Sequence, residues 1–221
     1  MLARRWLYNA ARRRVLHLSP RRWSNEEIRR IAPYCKGDVA NISGWKDEDK
    51  EGGHYHGYFP HASTYAVTNY FGTDSDNDGE ENSVFFDLAG EVPSNLIGRF
   101  DTCLCHTVLE HVYDLNKAFK NLSAITREGL LLVVPFMQNE HYADALYGDY
   151  WRFTPLGLRH LFESIGFHMI YLSANDTPWY PIYLVSLAVR NPMQWPTIPP
   201  SQWIAKSRIG NDTYIYEKYV W

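Results

Sequence analysis

Cysteine is scarce in this chain: Cys35, Cys103 and Cys105 are the only three in 221 residues. So few thiols exclude a disulfide framework, and two of them fall in one apolar segment, so a reducing, cytoplasmic setting is expected. No run of eighteen apolar residues occurs, so no segment is expected to span a membrane. Acid is missing from the first twenty-five residues, and residues 1 to 30 hold nine arginines against two glutamates, a net +7. The whole chain carries −3, so the remainder carries −10. The basic arm has three readings: a solvated helix packed on its own domain, an arm that meets an anionic surface, or a transit peptide. Past the arm the acidic balance would repel a phosphate backbone, and no aromatic motif of an RNA-binding sheet occurs, so no nucleic-acid partner is expected.

What is present is an α/β pattern with a high aromatic content, 15% of residues with 16 tyrosines and 8 tryptophans. Phe100-Asp-Thr-Cys-Leu-Cys-His106 reads as a buried strand that runs into the polar turn Thr107-Val-Leu-Glu-His111. An amphipathic helix follows (Leu115, Ala118, Phe119, Leu122, Ile125), then a charged turn at Arg127-Glu-Gly129 and the apolar strand Leu130 to Val134, closed by Pro135. Strand, helix and strand within about thirty-five residues is a βαβ unit, whose ligands sit at the carboxyl ends of the strands.

Elsewhere, Ser24-Asn-Glu-Glu27 has the form of a capping box, which predicts a helix from Asn25 to Ala32, stopped by Pro33. Val39 to Ser43, Ala62 to Phe71 and Ser83 to Leu88 read as three further strands. The polar and aromatic stretch Trp45 to Tyr58 is long enough for a functional loop, whose histidines and tyrosines would line or cover a pocket. His54, His56 and His61 invite a metal reading, but no cysteine or placed carboxylate completes the set, and no metal is expected. Asp74-Ser-Asp-Asn-Asp-Gly79 imitates the start of a calcium loop and fails at its twelfth position, Phe85, so a solvated acidic turn is expected. Pro155 to Ile165, ended by Gly166, reads as a helix, and Phe167 to Leu172 and Ile182 to Val189 as the last two strands. The proline- and aromatic-rich last thirty residues either wrap the domain or a second copy of it, or stack on sugar rings.

Together with Tyr150-Trp-Arg-Phe-Thr-Pro155 and Glu163-Ser-Ile-Gly-Phe167, the Val108-Leu-Glu-His111 turn resembles class I S-adenosylmethionine-dependent methyltransferases of the type 11-like group, over roughly residues 38 to 190. The resemblance implies a Rossmann-like doubly wound sheet of about seven strands, mostly parallel with an antiparallel last strand, and helices on both faces. It divides the chain into a basic arm (1–36), a methyltransferase-like domain (37–191) and a tail (192–221). It further implies S-adenosylmethionine as cofactor. In the family the first strand ends in an acid and a glycine-rich turn; here Asn41 stands at the acid, and Ser43-Gly44-Trp45 stand where two or three glycines are expected. Asn69 falls where an acid meets the ribose hydroxyls, Asp87 and Leu88 where adenine is held, and the backbone of His106 and Thr107 beside the methionine end. His111 and His141 are the candidate bases, with Asp149, Tyr150 and Arg152 on a following lid.

The activity implied is methyl transfer to an oxygen or nitrogen of a small polar or glycan-type acceptor, with a place in surface polysaccharide synthesis. The missing glycines and Asn69 leave a second reading, a degenerate member of the fold that acts as a binding or scaffold protein. A third uses the three loop histidines as metal ligands in a hydrolase-like site.

Overall fold

The structure, a computed structural model, describes residues 19–70, 83–142, 147–175, 182–199, 207–209 and 212–214. Most of the basic arm, the Asp74 to Gly79 turn and most of the tail lie outside these. Helix α1 (Pro20–Ile31) starts one turn before the predicted Asn25. The competing signal is Pro20, whose missing N–H and fixed φ suit a first helical turn, with Ser19 as the cap accepting from the Arg22 N–H at 3.2 Å. Ser24 lies inside the helix, and its hydroxyl donates to the Arg21 carbonyl at 2.8 Å. A 3-10 turn over Ala32–Tyr34, containing Pro33, leads into the sheet.

The strands are β1 (Gly37–Ile42), β2 (Ala62–Asn69), β3 (Ser83–Phe85), β4 (Phe100–His106), β5 (Thr126–Pro135), β6 (His168–Ala174) and β7 (Tyr183–Val189). They form one sheet in the order β3-β2-β1-β4-β5-β7-β6. The first five are parallel, and β7 runs antiparallel to both β5 and β6. This is the doubly wound architecture expected from the sequence. The chain order reverses between β1 and β4, and the crevice outside the carboxyl ends of those two strands is the place where such sheets bind ligands.

The sheet is covered on both faces, so its central strands read as continuous apolar runs rather than alternating ones. On β5, Leu130, Leu132 and Val134 join one core, while Leu131 and Val133 join the other. Helices α2 (Leu115–Ile125) and α3 (Pro155–Ser164) cover the first core, with Phe119 and Phe162 edge to face at 5.8 Å. Each begins on a side-chain cap: Asp114 accepts from the Lys117 N–H at 3.0 Å and Thr154 from the Gly157 N–H at 3.1 Å. The second core is closed by Trp23, Ile28 and Ile31 of α1 and by Tyr55, Tyr58 and Phe59 of the following loop, with Ile198 at its edge.

Between β1 and β2, where a doubly wound fold ordinarily inserts a helix, residues 43–61 form turns and a short 3-10 segment, Tyr55–Tyr58. Buried acids organise this loop in place of a helical ladder. The Asp49 carboxylate accepts from the backbone of Glu51 (2.7 Å) and Gly53 (2.9 Å) and from the Tyr58 hydroxyl (2.7 Å). From α1, Asn25 donates to the Asp49 carbonyl at 2.8 Å, and Arg29 reaches the carboxylate at 3.4 Å.

The predicted turn at Arg127 to Gly129 is instead the first part of β5. Arg127 bridges three strands there: it donates to Asp101 at 2.6 Å and to Asp38 at 2.8 Å. The bond from Arg127 holds the Asp101 carboxyl below its ordinary range, and bonds from Thr64 and then Arg127 do the same for Asp38. A carboxylate whose pKa is depressed on folding contributes stability above its unfolded pKa of about 4, and loses it as pH falls through the folded value. Urea midpoints for the parent and Arg127→Gln should therefore differ at pH 7 and converge as pH drops below 3. A gap that persists unchanged at low pH would show that Arg127 acts through packing and its carbonyl contacts instead.

Candidate active site

At the carboxyl ends of β1, β2 and β4 the structure has an open crevice of about 450 Å³. Its wall includes Ser43, Asn69, Asp87, Leu88, Thr107 and His111, six of the positions singled out in the sequence. Trp45 and Tyr150 also belong to the wall, while Asn41, Gly44, His141 and the side chain of His106, of which only the backbone was expected there, are not part of it. Asn41 is buried and donates to Asp47 at 2.7 Å, which leaves it as a strut beneath the turn. Gly44 packs directly on Asn41 and Val67. The His106 side chain, one strand position after Cys105, falls on the α1 face of the sheet. There it meets the Ser24 hydroxyl at 2.9 Å and the Arg21 guanidinium at 2.7 Å. Burial, then the Arg21 charge, pushes the His106 pKa well down, so this imidazole is neutral. His141 stands behind His111, ring centroids 5.0 Å apart.

The first-strand turn keeps an unusual backbone. Ser43 and Trp45 both have φ 52°, the left-handed region that glycine enters freely and bulky residues rarely occupy. They flank Gly44 in the Ser43-Gly44-Trp45 stretch where the resemblance expects two or three glycines. What holds Trp45 there is Asn69, which accepts from its N–H at 2.7 Å and donates to its carbonyl at 3.2 Å. The Asn69 amide also donates to the Ser83 hydroxyl at 3.2 Å. The indole is 61% exposed and forms part of the crevice wall. Asp87 accepts from the Ala89 N–H at 2.8 Å through one carboxylate oxygen; no bond to its other oxygen is found among the described residues.

The far wall is aromatic: Tyr113, Tyr147 and Tyr150 line it, and Tyr113 and Tyr150 meet edge to face at 5.3 Å. Beneath them His111 Nδ1 lies 2.6 Å from the Gly148 carbonyl. Burial, with the neighbouring His141 as a lesser cause, lowers the His111 pKa, so it too is neutral near pH 7. Glu110 is fully buried, and among the described residues no other residue hydrogen-bonds to either of its carboxylate oxygens. Burial raises its pKa to about 8. Asp149 has the opposite environment: Arg152 donates to it at 2.5 and 2.7 Å and the His141 N–H at 2.7 Å, and these bonds, Arg152 first, lower its pKa to about 2.

Sequence reasoning had no signal for Tyr113 or Tyr147, since nothing marks a tyrosine beside a turn as facing a crevice. It placed the loop histidines near the pocket, and this is corrected: His54, His56 and His61 are exposed and absent from the crevice wall. Asp47, the acid nearest His54 and His56, already accepts from Asn41, Tyr65 and the His56 N–H. Asp47, His54 and His56 do each bring a ligand atom within 4.8 Å of the others, so the structure supplies the carboxylate that the sequence did not place, already bonded to the loop.

No protein-family model matches this sequence, and no curated protein matches it. Solved structures do. The chain is similar to the 1,6-didemethyltoxoflavin-N1-methyltransferase of Burkholderia thailandensis, whose crystal holds 1,6-didemethyltoxoflavin and S-adenosylhomocysteine: 17% identity, TM-score 0.55, 82% of this chain and 83% of that one. An S-adenosylmethionine-dependent methyltransferase from Mesorhizobium loti matches at 10% identity and TM-score 0.56, over 79% of this chain and all (100%) of that one. Another from Clostridium acetobutylicum matches at 8% and 0.55, over 86% and 99%. The fold is that of the class I S-adenosylmethionine-dependent methyltransferases. Among the described residues, no helix is long and apolar enough to cross a membrane.

Proposed function

We propose that this chain is an S-adenosylmethionine-dependent methyltransferase acting on an oxygen or nitrogen of a small polar or glycan-type acceptor. The observation that carries it is one crevice, at the switch point of a methyltransferase fold, into which Ser43, Asn69, Asp87, Leu88, Thr107 and His111 all come. Its volume of about 450 Å³ is within the range usual for cofactor sites. Asp87 retains a carboxylate oxygen for an exocyclic amine, and the strained Ser43 to Trp45 backbone keeps the turn that would pass the methionine end. When bound, the cofactor's sulfonium supplies the methyl group.

This chain's own contribution is alignment and proton handling. Alignment dominates where the leaving group is already good. A hydroxyl or ammonium acceptor must also lose a proton, and His111, neutral and in the wall, with His141 behind it, is positioned for that. The tyrosine platform of Tyr113, Tyr147 and Tyr150 suits the apolar face of a sugar or a flat ring, which supports a glycan-type acceptor.

A specific observation favours the degenerate reading too: the Asn69 amide is committed to Trp45 and Ser83 rather than left for a ribose. Calorimetric titration with S-adenosylmethionine and S-adenosylhomocysteine separates the two. Micromolar binding, weakened at least tenfold in Asp87→Ala, is the expected result. No heat with either ligand from a folded sample would make the chain a binding protein on a methyltransferase scaffold.

A further inference from the structure

Glu110, His111 and His141 each offer a ligand atom, and these atoms lie within 4.8 Å of one another. Three features distinguish this group from a chance cluster. First, Glu110 has no exposed surface, yet neither of its oxygens has a hydrogen-bond partner on another described residue. A buried carboxylate without hydrogen bonds is costly enough that native proteins rarely keep one without a role for it. Second, each histidine is held through the same ring nitrogen. Nδ1 of His111 is 2.6 Å from the Gly148 carbonyl, and Nδ1 of His141 is 3.3 Å from the Asp149 carboxylate. The Gln138 side-chain nitrogen also faces His141 Nδ1 at 3.3 Å, so a proton on that Nδ1 requires the amide turned to present its oxygen. An oxygen acceptor at Nδ1 places the proton there and leaves Nε2 as a lone pair, which is how metal-ligating histidines are oriented. Third, His111 Nε2 is 3.9 Å from the Glu110 carboxylate. Donors bound at about 2.0–2.2 Å to one ion stand roughly 3–4 Å apart, so little movement is needed.

We propose that Glu110, His111 and His141 form a divalent transition-metal site at the edge of the crevice, with Gly148 and Asp149 as the groups that orient its two imidazoles. Two imidazoles and one carboxylate suit zinc, manganese or iron(II) better than magnesium or calcium, which take oxygen ligands. Three protein ligands leave coordination positions open, and His111 is shared with the crevice wall, so an oxygen of the acceptor can fill one. A hydroxyl coordinated there releases its proton to solvent water and keeps the electron pair on oxygen; with the ion bound, His111 serves as its ligand in place of acting as the base. That part rests on the methyl-transfer reading; the ion site itself does not. It differs from the group at Asp47, His54 and His56, where the carboxylate already accepts bonds from Asn41, Tyr65 and the His56 N–H.

The test uses the full chain, stripped with chelator and titrated with cobalt(II) followed by its visible absorption, and with zinc by calorimetry. S-adenosylhomocysteine is titrated into the same samples. The expected result is one ion per chain with the d–d bands of nitrogen and oxygen ligation, affinity reduced at least a hundredfold in Glu110→Gln and in His141→Ala, and no change in His56→Ala. His141 is 41% exposed along its side chain, so that variant tests the site even if Glu110→Gln fails to fold. No saturable binding, or loss that follows His56→Ala instead, would overturn the proposal. Metal binding without S-adenosylhomocysteine binding would leave the site standing and remove the methyltransferase reading; the converse would do the reverse.

Discussion

Asp149→Ala is expected to lower stability by about 3 kcal/mol, a large effect for a position on an irregular segment. The Asp149 side chain has no exposed surface, and Arg152 grips it with two nitrogens while the His141 N–H takes a third bond. Removing the carboxylate leaves the guanidinium, 28% exposed, with the Gln138 and Trp151 carbonyls as acceptors but no opposite charge from this pair. Such a deletion costs far more than loss of a surface pair, which is worth about 0–1 kcal/mol. Urea unfolding should show the midpoint fall with the slope unchanged. Asp149→Asn keeps one acceptor and should fall less. A loss within 0.5 kcal/mol for the alanine variant would mean that solvent reaches the pair freely.

Gly44→Ala is the second large effect. A Cβ there would lie 2.5 Å from the Asn41 side-chain nitrogen, 2.6 Å from its Cγ and 3.0 Å from Val67. Asn41 is fixed by its bond to Asp47, and Asp47 in turn holds Tyr65 and His56. One methyl group therefore pushes on the whole floor of the crevice. Overpacking of this kind costs about 1–3 kcal/mol, and displacement of the turn should weaken S-adenosylhomocysteine binding at least tenfold. Unaltered affinity in the variant would show that the ligand does not use this turn. The restriction is spatial, not conformational, since the left-handed residues are its neighbours Ser43 and Trp45.

The fold was legible because its strongest signals are long and periodic. Leu130 to Val134 can only be a strand buried on both faces, and Leu115 to Ile125 repeats its apolar residues at helical spacing. Errors fell where two local rules competed. Ser24 and Glu27 satisfy a capping box, but Ser19 followed by Pro20 starts the helix earlier, and Glu27 is buried instead of capping. Arg127 reads as a turn residue until Asp38 and Asp101, distant in sequence, come beside it. The crevice was half legible. Positions that follow a strand end, such as Asp87 and Thr107, can be named from the chain alone. Which way a side chain faces cannot: His106 turns to α1 because of its place in β4, and Tyr147 reaches His111 only through a tertiary contact at 4.7 Å. Glu110 carries no mark in the chain for the same reason, since burial without a hydrogen-bond partner is a property of the packed molecule.

The loop between β1 and β2 has one antiparallel bridge, Glu48 to His54, and short turns of its own, so part of the entropy of ordering it is met by α1, through Asn25, Arg29 and the Asp49 carboxylate. The turn under the crevice and the helix before the sheet should thus open and close together. Amide exchange in Gly44 to Tyr58 is then expected to follow how firmly α1 stays docked, and a ligand in the crevice to slow exchange in α1.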